Sequence, residues 1–318
     1  MTKKIEDMSE KPLFLSLNGR YYDVRKFAAK HPGGVKVLEK LAGSEIDRYM
    51  RGQDKILGVK HEHSQAAYNM LEQYSVDKEQ EKDPYLEKGK AILADIGNLG
   101  EDYLKWIHQP YDGTLRLFKS DFLERLTRTP WYVVPLVWMP VVLFFGIQGI
   151  YLMTTKYGQT LGLTFSIILF ILGALSWTLL EYVLHRHVFH WEPNLKSPNQ
   201  ILFHFLAHGL HHKTPFDGDR LVFPPTPALF IVGFFYFLYT SILPWDVFCC
   251  FGAAKLCAYI GYDVTHYWLH HAQFKPKTLA HYRKVYHHNH HFKDFDTGFG
   301  ITTNLWDYVF DTVGSGPL

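Results

Sequence analysis

Fifteen of the 19 histidines lie between His185 and His291, and four groups among them matter. "LHRHVFH" carries His185, His187 and His190, and "HGLHH" carries His208, His211 and His212. "HYWLH" carries His266 and His270, and "HHNHH" carries His287, His290 and His291. Neutral imidazole is the commonest biological metal ligand. Residues three and four apart share a helix face, so each trio or pair in the last three groups can point at one centre. His185 and His190 are five apart, roughly 140° on a regular helix. Either the helix ends or bulges there so that both bind, or His187 and His190 are the working pair. Ten such ligands exceed the needs of one ion, so two metals are the economical count. Imidazole-only sites suit iron, zinc or copper. The Glu-x-x-His pattern of soluble di-iron bundles is absent. His288 points about 100° away from His287 on a helix, which places it behind the ligands or at the surface.

A second constellation stands near the N-terminus. His31-Pro32-Gly33-Gly34 is a tight turn opening a helix, and "HEHSQAAYNML" offers His63 or His61 opposite it. Two neutral imidazoles from opposite walls fill both axial positions of a haem. Such an iron passes electrons and binds no oxygen.

The elements that must hold these groups differ along the chain. Residues 12–78 read as a small soluble α+β domain, with an Asn18-Gly19 turn and two amphipathic helices. Residues 79–115 read as a charged linker with Pro84, then an amphipathic helix, "AILADIGNLGEDYLKWI", lying on the next domain or on a membrane surface. Residues 116–318 read as an all-α integral membrane domain. "WYVVPLVWMPVVLFFGIQGIYLM" and "TLGLTFSIILFILGALSWTLL" are charge-free and long enough to span the hydrocarbon layer. "ALFIVGFFYFLYTSIL" and "DVFCCFGAAKLCAYIGY", joined at Pro244-Trp245, read as a third and fourth transmembrane helix, the fourth interrupted by Lys255. Apolar segregation explains a mean hydropathy of only −0.12 with 47% hydrophobic residues.

Four spans put both ends on one side. Arg116, Lys119, Arg125 and Arg128 precede the first, and Arg186, Lys196, Lys213 and Arg220 follow the second, against Lys156 alone in the turn between. The positive-inside rule then makes both termini and a histidine-rich cap cytoplasmic. The N-terminus lacks an apolar signal core. A net charge of +2 gives no reason to expect nucleic acid. Cys249, Cys250 and Cys257 form no CxxC pair, so neither a disulfide framework nor a zinc ribbon is expected.

"YYDVRKFAAKHPGG", "LAGSEI" and "HS" at His63 resemble a cytochrome b5 domain. The resemblance implies haem b with His31 and His63 as axial ligands. "RYMRGQDKILGVKHE" stands between them as an insertion. "TRTPWYVVPLVWMP", "LEYVLHRHVFH", "HFLAHGLHHKTPFDGDRLVFPP", "GYDVTHYWLHH" and "GFGITTNLWDYVFDT" resemble the membrane fatty acid hydroxylase superfamily. With the fused b5 domain, nearly the whole chain is similar to its fatty acid 2-hydroxylases. That similarity implies two iron ions, with zinc an alternative in isolated protein, and O2 as co-substrate. It implies His185, His190, His208, His211, His212, His266, His270, His287, His290 and His291 as ligands. The implied reaction hydroxylates carbon 2 of a very-long-chain fatty acid or ceramide acyl group at the endoplasmic reticulum membrane. Electrons would come through the haem from an NAD(P)H-dependent reductase. By helical spacing, Glu181 and Asp263 are placed to accept the other N–H of His185 and His266. Tyr259 and Tyr262 are placed to face substrate.

Three other readings compete. A b5-fused acyl-lipid desaturase uses similar histidine boxes but carries Gln where His287 stands. A sterol oxidase of the same superfamily usually lacks the b5 domain. A membrane metal carrier would have no use for His31 and His63.

Overall fold

The structure, a computed structural model, describes residues 13–76 and 83–315. The N-terminal tail and the charged start of the linker lie outside the described residues. Strands β1 (Phe14–Leu17) and β2 (Arg20–Asp23) pair antiparallel across Asn18 and Gly19, both at positive φ (52° and 75°). That is the primed turn that the right-handed strand twist favours. Leu15 and Leu17 point inward with Tyr22, Val24, Leu38, Met50 and Leu71 to form the small domain's core. Helix α1 (Val35–Lys40) starts after Gly34, whose φ of 86° suits glycine. Helix α2 (Gln65–Glu72) starts where the Ser64 hydroxyl accepts the Ala67 N–H, a cap worth about 1 kcal/mol. These two helix starts fix His31 and His63. The inserted stretch folds on itself through bridges Arg51–Glu62 and Ile56–Val59, turning at Leu57 and Gly58.

The expected amphipathic helix after the linker is broken. Ile96–Asp102 is a 3-10 turn that reverses at Gly100, and only Tyr103–Ile107 is α-helical. Its apolar residues Ile96, Tyr103, Trp106 and Ile107 are buried against Ile201 and Phe205. The segment is therefore part of the second domain's core.

Among the described residues four helices are long and apolar enough to cross a membrane: α3 (Val133–Tyr157), α4 (Gln159–Leu184, its apolar run continuing to Phe189), α6 (Pro225–Ile242) and α7 (Trp245–His271). Between α4 and α6 lies the short α5 (Pro198–His204), and after α7 comes α8 (Leu279–Phe292). The chain is thus a small α+β domain followed by an all-α membrane domain. Helix α7 packs on both α3 and α4. Small residues permit this approach: a Cβ on Gly149 would lie 2.6 Å from Cys250 Sγ, and one on Gly173 would lie 2.4 Å from the Phe251 carbonyl. Lys255 does not break α7, because its ammonium donates to Tyr239 Oη at 2.8 Å and lies over the Phe235 ring. At the far end Lys156 pairs with Asp246 at 2.7 Å.

Candidate metal centre and haem site

The end of α4 is not a regular helix. His185–Phe189 winds as a π-turn, and the His190 N–H reaches the His185 carbonyl at 3.0 Å. The wider turn brings residues five apart onto one side, with His185 and His190 ring centroids 5.0 Å apart. Of the two sequence alternatives, the structure adopts the bulge, and His187 joins neither histidine set among the described residues. A second π-turn, Phe205–Gly209, follows α5 and carries His208. Such turns are frequent at functional sites.

Two histidine sets result. His211, His266, His270, His287 and His291 form one, and His185, His190, His208 and His290 the other. Within each set the candidate ligand atoms lie within 4.8 Å of one another. His212 stands at the seam, its Nε2 3.2 Å from His190 Nε2 and its ring centroid 4.3 Å from that of His291.

Metal ions fit these sets. His185 Nδ1 donates to the Phe299 carbonyl at 2.6 Å, and His290 Nδ1 donates to the Thr297 carbonyl at 2.7 Å. A carbonyl can only accept, so the proton sits on Nδ1 and the Nε2 lone pair faces the set. His185 Nε2 is 3.1 Å from His208 Nε2, and His287 Nε2 is 2.9 Å from His270 Nε2 and 3.1 Å from His291 Nε2. Ligands at about 2.1 Å from one ion stand about 3.0 Å apart at a right angle and about 3.4 Å apart at the tetrahedral angle. Both ring nitrogens of His211, His266 Nε2 and His290 Nε2 are buried without a protein partner, an expensive arrangement unless something binds there. Burial pushes His208, His211, His212, His287, His290 and His291 well below the ordinary histidine value. They are neutral at pH 7, the state a ligand needs.

The two carboxylates do other work than spacing suggests. Glu181 accepts the backbone N–H groups of Ile301 and Thr302, at 2.7 Å and 2.6 Å, rather than a proton of His185. Asp263 accepts the Phe223 N–H rather than a proton of His266. The reason is geometric: the chain returns over α4 and α7, and its backbone donors reach the carboxylates. Backbone carbonyls of that returning chain orient His185 and His290 instead. Tyr262 stacks on His266 at 6.1 Å, and Tyr259 lies beside Trp177 at 5.2 Å with its hydroxyl on the Phe223 carbonyl. His288 is buried, its Nδ1 donating to the Lys284 carbonyl at 2.8 Å and its ring 5.4 Å from His270. The surface position that helical spacing allowed for it is not the one it takes.

In the small domain the His31 and His63 rings face each other, 6.4 Å apart and 24° from parallel. The gap accommodates one iron with a bond of about 2 Å on each side. Burial lowers His31 to about 4 and His63 to about 3, so both are neutral. His61 is exposed and meets His63 edge-on, 4.7 Å away. A Cβ on Gly33 would sit 2.9 Å from His31 Cε1, so the glycine leaves the ring its space.

Residues 170–312 match the fatty acid hydroxylase family and residues 3–78 match the cytochrome b5-like heme/steroid binding domain. A fatty acid 2-hydroxylase of Mus musculus is 37% identical, over 92% of this chain and 88% of its own. The chain belongs to the fatty acid 2-hydroxylase family. The ceramide very long chain fatty acid hydroxylase of Saccharomyces cerevisiae is 33% identical, over 93% of this chain and 88% of its own. The dihydroceramide fatty acyl 2-hydroxylase FAH2 of Arabidopsis thaliana is 44% identical over 70% of this chain and 91% of its own. In a solved structure of full-length scs7p, with only the hydroxylase domain visible, the match has a TM-score of 0.60 at 38% identity. It covers 69% of this chain and 80% of that one.

In this hydroxylase, two buried lysines brace the histidine cap. The Lys284 ammonium donates to the carbonyls of Leu269, His270 and Ala272, at 2.9 Å, 3.3 Å and 3.0 Å. It therefore caps the end of α7 that carries His270. The Lys213 ammonium donates to the carbonyls of Trp106 and Gln109, at 3.0 Å and 2.8 Å, and sits 4.3 Å from the centre of the Trp106 ring. Arg220 is enclosed by Glu124 and Asp217. Lys213 and Arg220 are thus internal struts of the hydroxylase rather than the loop charges that a topology count takes them for. His204, unused by the sets, bonds Tyr103 Oη at 2.6 Å. Lys284 lies inside α8, far along the chain from the α7 carbonyls it caps, so nothing in its spacing announces that role.

Proposed function

We propose that this enzyme hydroxylates carbon 2 of long- and very-long-chain fatty acyl groups, free or in ceramide. The observation that carries the reading is the pair of histidine sets, with Nε2 lone pairs turned inward, at the end of membrane-spanning helices. The named activities of the relatives supply the carbon position and the substrate class. We assign the ten histidines as ligands of two iron ions and His31 and His63 as the axial ligands of haem b. Iron held there would supply oxygen activation, placing one atom of O2 in the C–H bond and releasing the other as water.

The chain's own residues do the rest. The carbonyls of Phe299 and Thr297 keep His185 and His290 in the ligating tautomer. Glu181 fixes the loop that presents Phe299. Tyr262 and Trp177, 5.7 Å apart, wall the histidine cap on the side of α4 and α7, where an acyl chain in the membrane approaches. Residues 12–78 act as the electron-carrying domain, 79–115 as the connection and 116–318 as the hydroxylase. The reductant is an NAD(P)H-dependent reductase. The cationic residues before α3 support a cytoplasmic cap, and the sphingolipid substrate class supports the endoplasmic reticulum.

Feeding a host that makes this protein with a labelled long-chain acid tests the reading. Mass spectrometry should find the label as 2-hydroxy fatty acid or 2-hydroxyacyl ceramide. A hydroxyl at another carbon, or a double bond, would overturn it.

A further inference from the structure

His288, which joins neither histidine set, lies on the line between the two sites. His31 meets Phe27 edge-on at 6.0 Å, and Phe27 meets Phe216 at 6.1 Å. Phe216 meets both His270 and His288 at 6.4 Å, and His288 lies 5.4 Å from His270. Ring contacts therefore run without a break from a haem-site histidine to a metal-set histidine. Phe216 is 7% exposed and His288 3%, so water is excluded at the hydroxylase end. His288 Nε2 is buried without a partner. Keeping a polar ring there is costly, and the metal sets do not require it.

The small domain is held in place at this contact. The Gln273 side-chain amide, just beyond α7, donates to the Ala29 carbonyl. The Lys30 ammonium pairs with Asp112 and lies 5.5 Å from the Phe216 ring centre. Tyr74 Oη donates to the same carboxylate. The Gln73 side chain donates to the Pro110 carbonyl at 2.6 Å and accepts the Asp112 N–H at 3.0 Å. The Tyr111 N–H in turn bonds the Lys213 carbonyl at 2.7 Å, beside His212.

We propose that Phe27, Phe216 and His288 are the path by which electrons cross from the haem site to the histidine sets, within one chain and from this docked position. The inference rests on the proposed function. Each transfer oxidises a ferrous haem iron to ferric and reduces a ferric ion at the sets to ferrous. No bond is made or broken. The reductase refills the haem. Phe216 and His288 are positioning residues: they narrow the gap and hold no metal.

The test uses the full chain, loaded with haem and iron. After reduction through the reductase, haem re-oxidation in the presence of O2 and acyl substrate is followed by absorbance. Phe216→Leu should lose the fast phase while haem spectrum, haem potential and iron content match wild type, and Phe216→Trp should keep it. A fast phase unchanged in Phe216→Leu overturns the path. Docking is read independently of turnover. Ala29→Cys with Gln273→Cys should be joined within one chain by a short bismaleimide, each single variant serving as control. No intrachain product overturns the docked position. A wild-type chain that makes 2-hydroxy product while both tests fail sinks the path alone. A wild-type chain that makes none sinks the proposed function.

Discussion

The His190 N–H bonds the carbonyl of His185, five residues back, at 3.0 Å. That one bond replaces the usual bond to residue 186 and puts both imidazoles on the same wall. Inserting an alanine after Val188 places His190 six residues after His185 and rotates it by about 100°. The variant should keep its haem and its helical content while losing iron from the set of His185, His190, His208 and His290. Metal analysis should find about one ion fewer per chain, the count following from two tetrahedral or octahedral sites.

Glu181 anchors the loop whose carbonyls orient His185 and His290. Glu181→Ala leaves the N–H groups of Ile301 and Thr302 without their acceptor. The stability loss should be about 1–3 kcal/mol. Iron affinity should fall about 10–100-fold, the usual effect of removing a group that orients ligands. Competition with a chelator measures the affinity and thermal unfolding the stability.

Lys284→Met keeps much of the side-chain volume but removes three hydrogen bonds to the end of α7. The midpoint of thermal unfolding should drop, by the equivalent of about 1–3 kcal/mol. Lys284→Arg should recover little, since a planar fork does not replace three tetrahedral donors.

Two variants separate the haem ligands. His63→Ala should abolish haem binding and His61→Ala should retain it, read from the absorbance of purified protein. Gly33→Ala pushes a methyl group into the His31 ring. It should lower haem occupancy without touching iron content.

Glu124 provides a pH signature. Burial raises its carboxyl, but the N–H groups of Phe118 and Leu117, with Arg220, outweigh that and hold it below the usual glutamate value. A depressed value means stability that is fully present above the unfolded-state pKa, about 4.3, and lost as pH falls through the folded-state value. Wild type should exceed Glu124→Gln by about 1–3 kcal/mol at pH 7. The gap should close as the pH is lowered below about 4. Denaturant melts at several pH values would show it.

Helical period grouped the histidines by box but did not apportion them: His208 and His211 fall in different sets, as do His287 and His290, because each box stands between the two sets. The same logic misjudged Glu181 and Asp263. Their positions one turn before a ligand are real, but backbone donors from residues 223 and 301–302 arrive from far along the chain and take the carboxylates. Distant partners also explain why Lys213 and Arg220 read as loop charges and why His288 read as unassigned. The apolar runs announced α3 and α4 directly. Residues 91–107 carried an apolar period too, yet Gly97 and Gly100 broke the helix, and a close approach to Pro198 explains the first: a Cβ there would lie 2.7 Å from it.

The bonds at residues 110–112 also decide what kind of neighbour the small domain is. A domain on a loose tether samples a volume, and its encounter rate follows tether length. Here the connecting segment is fastened to both partners, so lengthening the chain around residues 77–82 leaves the meeting point where it is. The same fastening occupies the face that Phe216 offers. On the proposed path, a free cytochrome b5 would meet a filled berth and have to displace the resident domain before delivering an electron.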